Sequence, residues 1–308
     1  MKKIMTITIV IVACCMARAQ QNCIPSYTMA VKRIAINDSV QIAYLEKGKG
    51  KTLVFIHGLG GNLSHWQQNM DALSNQFRCI AIDLPGYGCS TTPINTTDQL
   101  ATYADLIIAM LQKLQLTDVT LVGHSMGGQI AVIAALKSSQ IITKLVLVAP
   151  AGFEQFSATE KELLSNISTQ PFFKTQDEQA IRASFKNNFY QLPAAAEPLI
   201  AYRIAQRDCA NFSSYCNTIV QGINGMLRHP VKSQLSLLQQ PVLVVFGAAD
   251  NLIPNKYLHP SLTTLGVATE GANEIKNHHL VILPKAGHLL QVEQPEAFKT
   301  ALLQFLKK

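Results

Sequence analysis

Val119-Thr-Leu-Val-Gly-His-Ser125-Met-Gly-Gly-Gln-Ile-Ala-Val-Ile-Ala-Ala-Leu136 is the stretch on which the fold turns. Its first half is a short β-branched, apolar run that predicts a buried strand, and its second half carries the small and aliphatic residues of a helix. Between them stands Gly123-His124-Ser125-Met126-Gly127, of the form G-x-S-x-G. Glycines two residues either side of the serine permit a tight strand-to-helix turn that lifts the hydroxyl clear of the sheet.

Further strands are predicted over 31–36, 40–46, 52–57, 78–83, 144–148, 242–246 and 279–283. Thr52-Leu-Val-Phe-Ile and Leu145-Val-Leu-Val are continuous apolar runs, as strands covered on both faces should be. The first two, joined around Asn37-Asp38, predict an antiparallel hairpin at a sheet edge. Helices intervene: Leu100, Tyr103, Ala104, Ile107, Met110, Leu111 and Leu114 recur at helical spacing behind Thr97 as the expected N-cap, and Pro295 opens a final helix. The fold class is α/β, a mostly parallel central sheet with helices on both faces. From 152 to 240 the strand rhythm stops and several helices are expected, so this segment is an inserted helical cap between core segments 27–151 and 241–308. Seven of the twelve phenylalanines (Phe153, Phe156, Phe172, Phe173, Phe185, Phe189, Phe212) fall in it, which suits either an apolar pocket or the cap's own core.

A serine hydroxyl becomes a competent nucleophile only when a base takes its proton, so a histidine and a carboxylate are needed after the serine. Asp250 follows the strand Val242-Leu-Val-Val-Phe246, and His288 follows Val281-Ile-Leu283, in the chain order Ser, Asp, His. Asp83 and Asp118 are the rival acids. His57 and His124 are read as packing and hydrogen-bonding groups beside the site, and His65 and Trp66 as part of the helix that follows. An extra surface loop is expected to absorb the long span between Asp250 and His288.

On these motifs the sequence from 27 to 308 resembles the α/β-hydrolase superfamily, with His57-Gly58-Leu59-Gly60-Gly61-Asn62 similar to its oxyanion loop and Asp83-Leu84-Pro85-Gly86-Tyr87-Gly88 to the loop after its next strand. Among its subgroups, His57-Gly58-x-Gly60 with Gly123-His124-Ser125-Met126-Gly127-Gly128 looks most like bacterial esterases and lipases that carry a helical cap. The resemblance implies that Ser125 attacks an acyl carbonyl, His288 takes its proton and Asp250 orients the imidazole, while the backbone N–H groups of Leu59 and Met126 bind the oxyanion. It implies a cofactor-independent hydrolase of carboxylic esters acting through an acyl-enzyme, on a small-molecule ester or a lipid. Carbon–carbon bond hydrolases and amidases or peptidases use the same triad and stay open, as does a non-catalytic binding protein on this scaffold. Dehalogenases and epoxide hydrolases of the fold need an aspartate where Ser125 stands.

Composition narrows the classes. With 48% hydrophobic and 15% charged residues over 308 positions, the chain can bury a sizeable core and is not a disordered or coiled-coil protein. The net charge of +7 falls to +4 when Lys2, Lys3 and Arg18 are set aside, leaving 23 basic against 19 acidic residues, so no nucleic-acid partner is expected. Neither G-x-G-x-x-G nor G-x-x-x-x-G-K-[ST] is present, and His278-His279 has no ligand-spaced Cys or carboxylate, so no nucleotide cofactor or metal is expected. Residues 1–19 read as a signal peptide: two lysines, an apolar run from Ile4 to Met16, then Ala17-Arg18-Ala19. Cleavage there predicts an exported, periplasmic or extracellular protein, whereas Ile11-Val-Ala-Cys14 resembles a lipoprotein signal that would anchor the chain through Cys14. A monomer is expected. Cys209 and Cys216 are read as either a loop disulfide or two separate buried thiols.

Overall fold

The computed structural model describes residues 27–91, 96 and 98–307, so the signal-peptide reading, Cys14 and Thr97 lie outside the described residues. Eight strands form one sheet: β1 (Lys32–Ala35), β2 (Gln41–Lys47), β3 (Thr52–Ile56), β4 (Arg78–Ile82), β5 (Val119–His124), β6 (Ile142–Val148), β7 (Val242–Gly247) and β8 (His278–Leu283). Their spatial order is β1-β2-β4-β3-β5-β6-β7-β8. β1 and β2 pair antiparallel, β2 pairs antiparallel with β4, and the remaining pairs are parallel. β3, β5 and β7 are buried along their whole length, which is why their sequences do not alternate.

The helices are α1 (Gln67–Leu73), α2 (Gln99–Lys113), α3 (Met126–Lys137), α4 (Ala158–Ile167), α5 (Gln170–Lys174), α6 (Glu178–Lys186), α7 (Glu197–Ala205), α8 (Phe212–Arg228), α9 (Thr264–Asn273), α10 (Leu290–Glu293) and α11 (Pro295–Leu306), with short 3₁₀ turns between some of them. α3 is buried from Met126 to Ala135, which its Gly- and Ala-rich, all-round apolar sequence allows. Trp66 closes a 3₁₀ turn, Leu63–Trp66, and its fully buried indole packs at 5.1 Å from the Phe55 ring and 6.0 Å from that of Phe298, tying β3 to α11.

Two expectations change, and one open pair of alternatives is decided. The span between Asp250 and His288 is not absorbed by a loop alone: it contains α9, whose buried Val267, Ala268, Gly271 and Ala272 make one face. A parallel β7–β8 pair needs a crossover, and a helix supplies it. The α2 cap falls on Asp98, whose carboxylate accepts from Ala101 N–H at 3.1 Å. Cys216 is a free buried thiol, so no bridge joins it to Cys209, whose Sγ donates to Ala205 O at 3.5 Å.

Between β6 and β7 lie α4 to α8, no strand among them. α8 is the anchor of this segment. It buries Phe212, Tyr215, Cys216, Ile219 and Leu227, and a Cβ on its Gly222 would lie 2.6 Å from Leu59 Cδ1 and 3.1 Å from Met126 Sδ. Glycine there lets α8 approach the two residues singled out for the oxyanion.

Candidate active site

Ser125 stands between the end of β5 and the first residue of α3 with φ 53° and ψ −117°, a left-handed conformation unfavourable for a side-chain-bearing residue. Its surroundings hold it there. Ser125 N–H donates to Val148 O at 2.9 Å, and its own carbonyl accepts from Gly128, Gln129 and Ala151 N–H at 2.9, 3.2 and 3.0 Å. A Cβ on Gly123 would fall 2.3 Å from Gly127 O, and one on Gly127 would fall 2.5 Å from Ile56 O and 2.6 Å from His57 O. Both flanking glycines of the motif are therefore required by close backbone approach.

Asp250 lies just beyond β7, completely buried, where its Oδ1 accepts from Leu252 N–H at 2.8 Å and Ile253 N–H at 3.0 Å. Its Oδ2 accepts from His288 Nδ1 at 2.8 Å. That bond fixes the tautomer: the proton is on Nδ1, and Nε2 is left as the basic nitrogen. His288 follows β8 and is held from several sides. Leu289 N–H donates to Asn188 O at 3.0 Å, and Glu293 takes Gly287 N–H at 2.7 Å and Gln191 N–H at 2.6 Å, joining the His288 loop to the segment after α6. Ser125 and His288 line one cavity of about 410 Å³, together with Gly58, Leu59 and Gly60 from the loop after β3.

Leu59 lies in that loop, and no backbone carbonyl among the described residues takes its N–H. Met126 is the first residue of α3, where an N–H has no partner inside its own helix. The loop is braced by Tyr215, whose hydroxyl donates to Gly60 O at 2.7 Å.

Three histidines surround the nucleophile without joining Asp250. His57 donates from Nδ1 to Gly58 O at 2.7 Å and accepts Leu84 N–H at Nε2 at 3.1 Å, and burial pushes its pKa down to about 4. His124 donates from Nε2 to His288 O at 3.0 Å, with the two rings 4.8 Å apart, and burial holds it neutral. Burial drives His65, on the cavity wall, to about 3.

The rival acids have other partners. Asp83 accepts from Leu63 N–H at 2.8 Å, Cys89 N–H at 2.7 Å and the Tyr27 hydroxyl at 2.8 Å, and burial raises it to about 6. Asp118 accepts from Thr143 Oγ1 at 2.6 Å. His278 bonds to Ile275 O, and no group of three metal-ligating side chains occurs among the described residues. Of the seven phenylalanines, Phe156, Phe173 and Phe185 line the cavity, whereas Phe153, Phe189 and Phe212 are packed inside and Phe172 is exposed.

Two neighbours of the site were not legible in the sequence. Buried Glu154 accepts from Asn255 N–H at 2.9 Å and from His259 Nδ1 at 2.5 Å, clasping the segment that carries Asp250 to the loop after β6. His259 Nε2 reaches Glu160 at 3.2 Å, and Phe156 stacks on its ring at 5.3 Å. The second is Arg203, on the cavity wall.

Residues 51–295 match the family model of the alpha/beta hydrolase fold. The chain belongs to that family. Among its relatives, the hydrolase is 29% identical over 275 residues to the dihydrolipoyllysine-residue acetyltransferase component of the acetoin cleaving system of Pseudomonas putida, covering 85% of this chain but only 65% of that protein's length. It is 26% identical over 286 residues to 3-oxoadipate enol-lactonase 2 of Acinetobacter baylyi, covering 91% of this chain and 96% of the lactonase. A probable hydrolytic enzyme from Pseudomonas aeruginosa superposes with a TM-score of 0.82 at 23% identity, covering 92% and 96% of the two chains, a likeness of fold.

Proposed function

We propose that the hydrolase is a serine esterase that needs no cofactor and cleaves carboxylic esters through an acyl-enzyme. The observation that carries this reading is the buried His288–Asp250 bond beside a cavity shared by His288 and the left-handed Ser125. In the first step Ser125 Oγ bonds to the acyl carbon as its proton passes to His288 Nε2, and Asp250 stabilises the imidazolium. The carbonyl oxygen, now negative, takes the N–H groups of Leu59 and Met126, each such donor contributing on the order of 3 kcal/mol to the barrier reduction. Collapse expels the alkoxide, which leaves as the alcohol with the proton held by His288. Water then attacks the acyl-enzyme with His288 again as base, releasing the acid and restoring Ser125.

The helices between β6 and β7 act as a cap that gives the acyl or alkoxy group its apolar surroundings, through Phe173, Phe185, Ile219 and Ile223. Similarity to an enol-lactonase supports ester chemistry, since a lactone is a cyclic ester.

The test is hydrolysis of nitrophenyl esters from short to long acyl chains by the wild type and Ser125→Ala. Turnover that disappears with the serine is expected, with the preferred chain length separating a short-acyl esterase from a lipase. Equal rates in both proteins, or none on any ester, would remove the esterase reading.

A further inference from the structure

Arg203 stands out on the cavity wall. Its residue is only 8% exposed, and Nη1 is buried without a hydrogen-bond partner. Among the described residues no carboxylate forms an ion pair with it. What it touches instead are π faces: the guanidinium carbon lies 4.9 Å from the Tyr215 ring centroid and 5.6 Å from that of Phe212. Those rings return part of the lost hydration and fix the plane of the guanidinium, but they are not a counter-ion.

The rest of the wall does not balance this charge. Lys161 adds a second cation, and the acid on the wall, Glu154, is taken up by His259 and Asn255 N–H. A buried cation lacking an anion is costly until a ligand brings one, and the planar guanidinium fork matches a carboxylate. The rings that hold Arg203 also connect it to the reaction centre, because Tyr215 donates to Gly60 O next to Leu59.

We propose that Arg203 pairs with a carboxylate carried by the substrate, so that the preferred ester bears a free carboxylate on its acyl or alkoxy chain. This rests on the esterase reading and names its substrate class. A cavity of about 410 Å³ holds an ester of that modest size.

The test compares para-nitrophenyl butyrate with the mono-para-nitrophenyl ester of glutaric acid, which differs chiefly by a terminal carboxylate. The wild type is expected to favour the glutarate in kcat/KM. In Arg203→Met the glutarate-to-butyrate ratio falls by about 30-fold, mainly through KM, the loss typical of removing one partner of a buried ion pair. Arg203→Lys restores part of it and serves if the methionine variant does not fold. A ratio unchanged in both variants, or a wild type that prefers butyrate, overturns the proposal.

A second arm needs no turnover: calorimetric titration of Ser125→Ala with monomethyl glutarate. Binding that is weakened in Ser125→Ala/Arg203→Lys and lost in Ser125→Ala/Arg203→Met supports the pairing even if no ester is hydrolysed, in which case the esterase reading alone fails. No binding to Ser125→Ala overturns the carboxylate site.

Discussion

Between pH 7 and pH 5 His57 and His65 stay neutral in the folded protein, because no water solvates the charge where they are buried. Burial holds the first at about 4 and the second at about 3, against 6.5 for a solvated imidazole. The unfolded chain binds those protons freely, so it holds more of them than the native state across this window, and stability falls as the pH falls. At about 1.36 kcal/mol per pH unit, each histidine costs about 2 kcal/mol by pH 5. Asp83 runs the other way. Its pKa is raised from 3.8 to about 6, so the native state holds the extra proton and recovers about 1 kcal/mol by pH 5. The net loss is about 2 to 3 kcal/mol, and His124, held well below its usual value by burial, adds to it in the same direction. Urea unfolding followed by circular dichroism at pH 7, 6 and 5 measures this directly. His65→Gln should remove about 2 kcal/mol of the pH dependence, whatever it does to the absolute stability. An unfolding free energy that stays level or rises on acidification, or a His65→Gln protein with the full slope, would refute the reasoning.

Gly127→Ala places a methyl 2.5 Å from Ile56 O and 2.6 Å from His57 O, so it should cost about 1–3 kcal/mol in thermal or urea unfolding and lower ester turnover as the serine turn shifts. Tyr215→Phe removes the hydroxyl that braces Gly60, worth about 1 kcal/mol, and should reduce kcat about fivefold; an unchanged kcat would separate the brace from the chemistry. Asp250→Asn should lower kcat by about 10³–10⁴ while the fold survives, as read by rates and circular dichroism. The Glu154 hydrogen bond raises His259 above 6.5, so the clasp contributes stability that is fully present below 6.5 and lost as the pH rises through the raised value. Melting temperatures of the wild type above pH 6.5 should therefore decline more steeply than those of Glu154→Gln.

What could be read from residues alone follows from how local each signal is. The eight strands were legible because buried runs such as Thr52–Ile56 and Val242–Phe246 carry their signature in consecutive residues, and Ser125 because its turn is specified by five neighbours. Asp250 and His288 were legible through chain order and strand ends. α9 was hidden because the polar run beginning at Thr269 masks a small-residue face, Val267, Ala268, Gly271 and Ala272, whose apolar character is weak. Thr97 and Asp98 are both good caps, and sequence gives no reason to choose the second. The Glu154–His259 clasp joins residues 105 apart, a pairing that no local pattern encodes. Arg203 sits in an ordinary helical stretch, Glu197–Ala205, and its solitude is a property of space, not of its neighbours in the chain.

The pairing of β6 with β7 sets Leu145 opposite Val242 across the whole of α4 to α8. Closing a loop that long is slow compared with joining the earlier strands, whose partners are nearer in the chain. During synthesis the segments that hold the Ser125 turn, including Ile56, His57, Val148 and Ala151, are all made before Asp250 and His288, which follow β7 and β8. A growing chain thus carries the serine before the histidine and carboxylate proposed to serve it, and His288, bonded to Asp250, joins Ser125 on the cavity wall only when the final third has docked. The order of the polypeptide acts as a timer, bringing the proposed triad together only after the fold around Ser125 is in place.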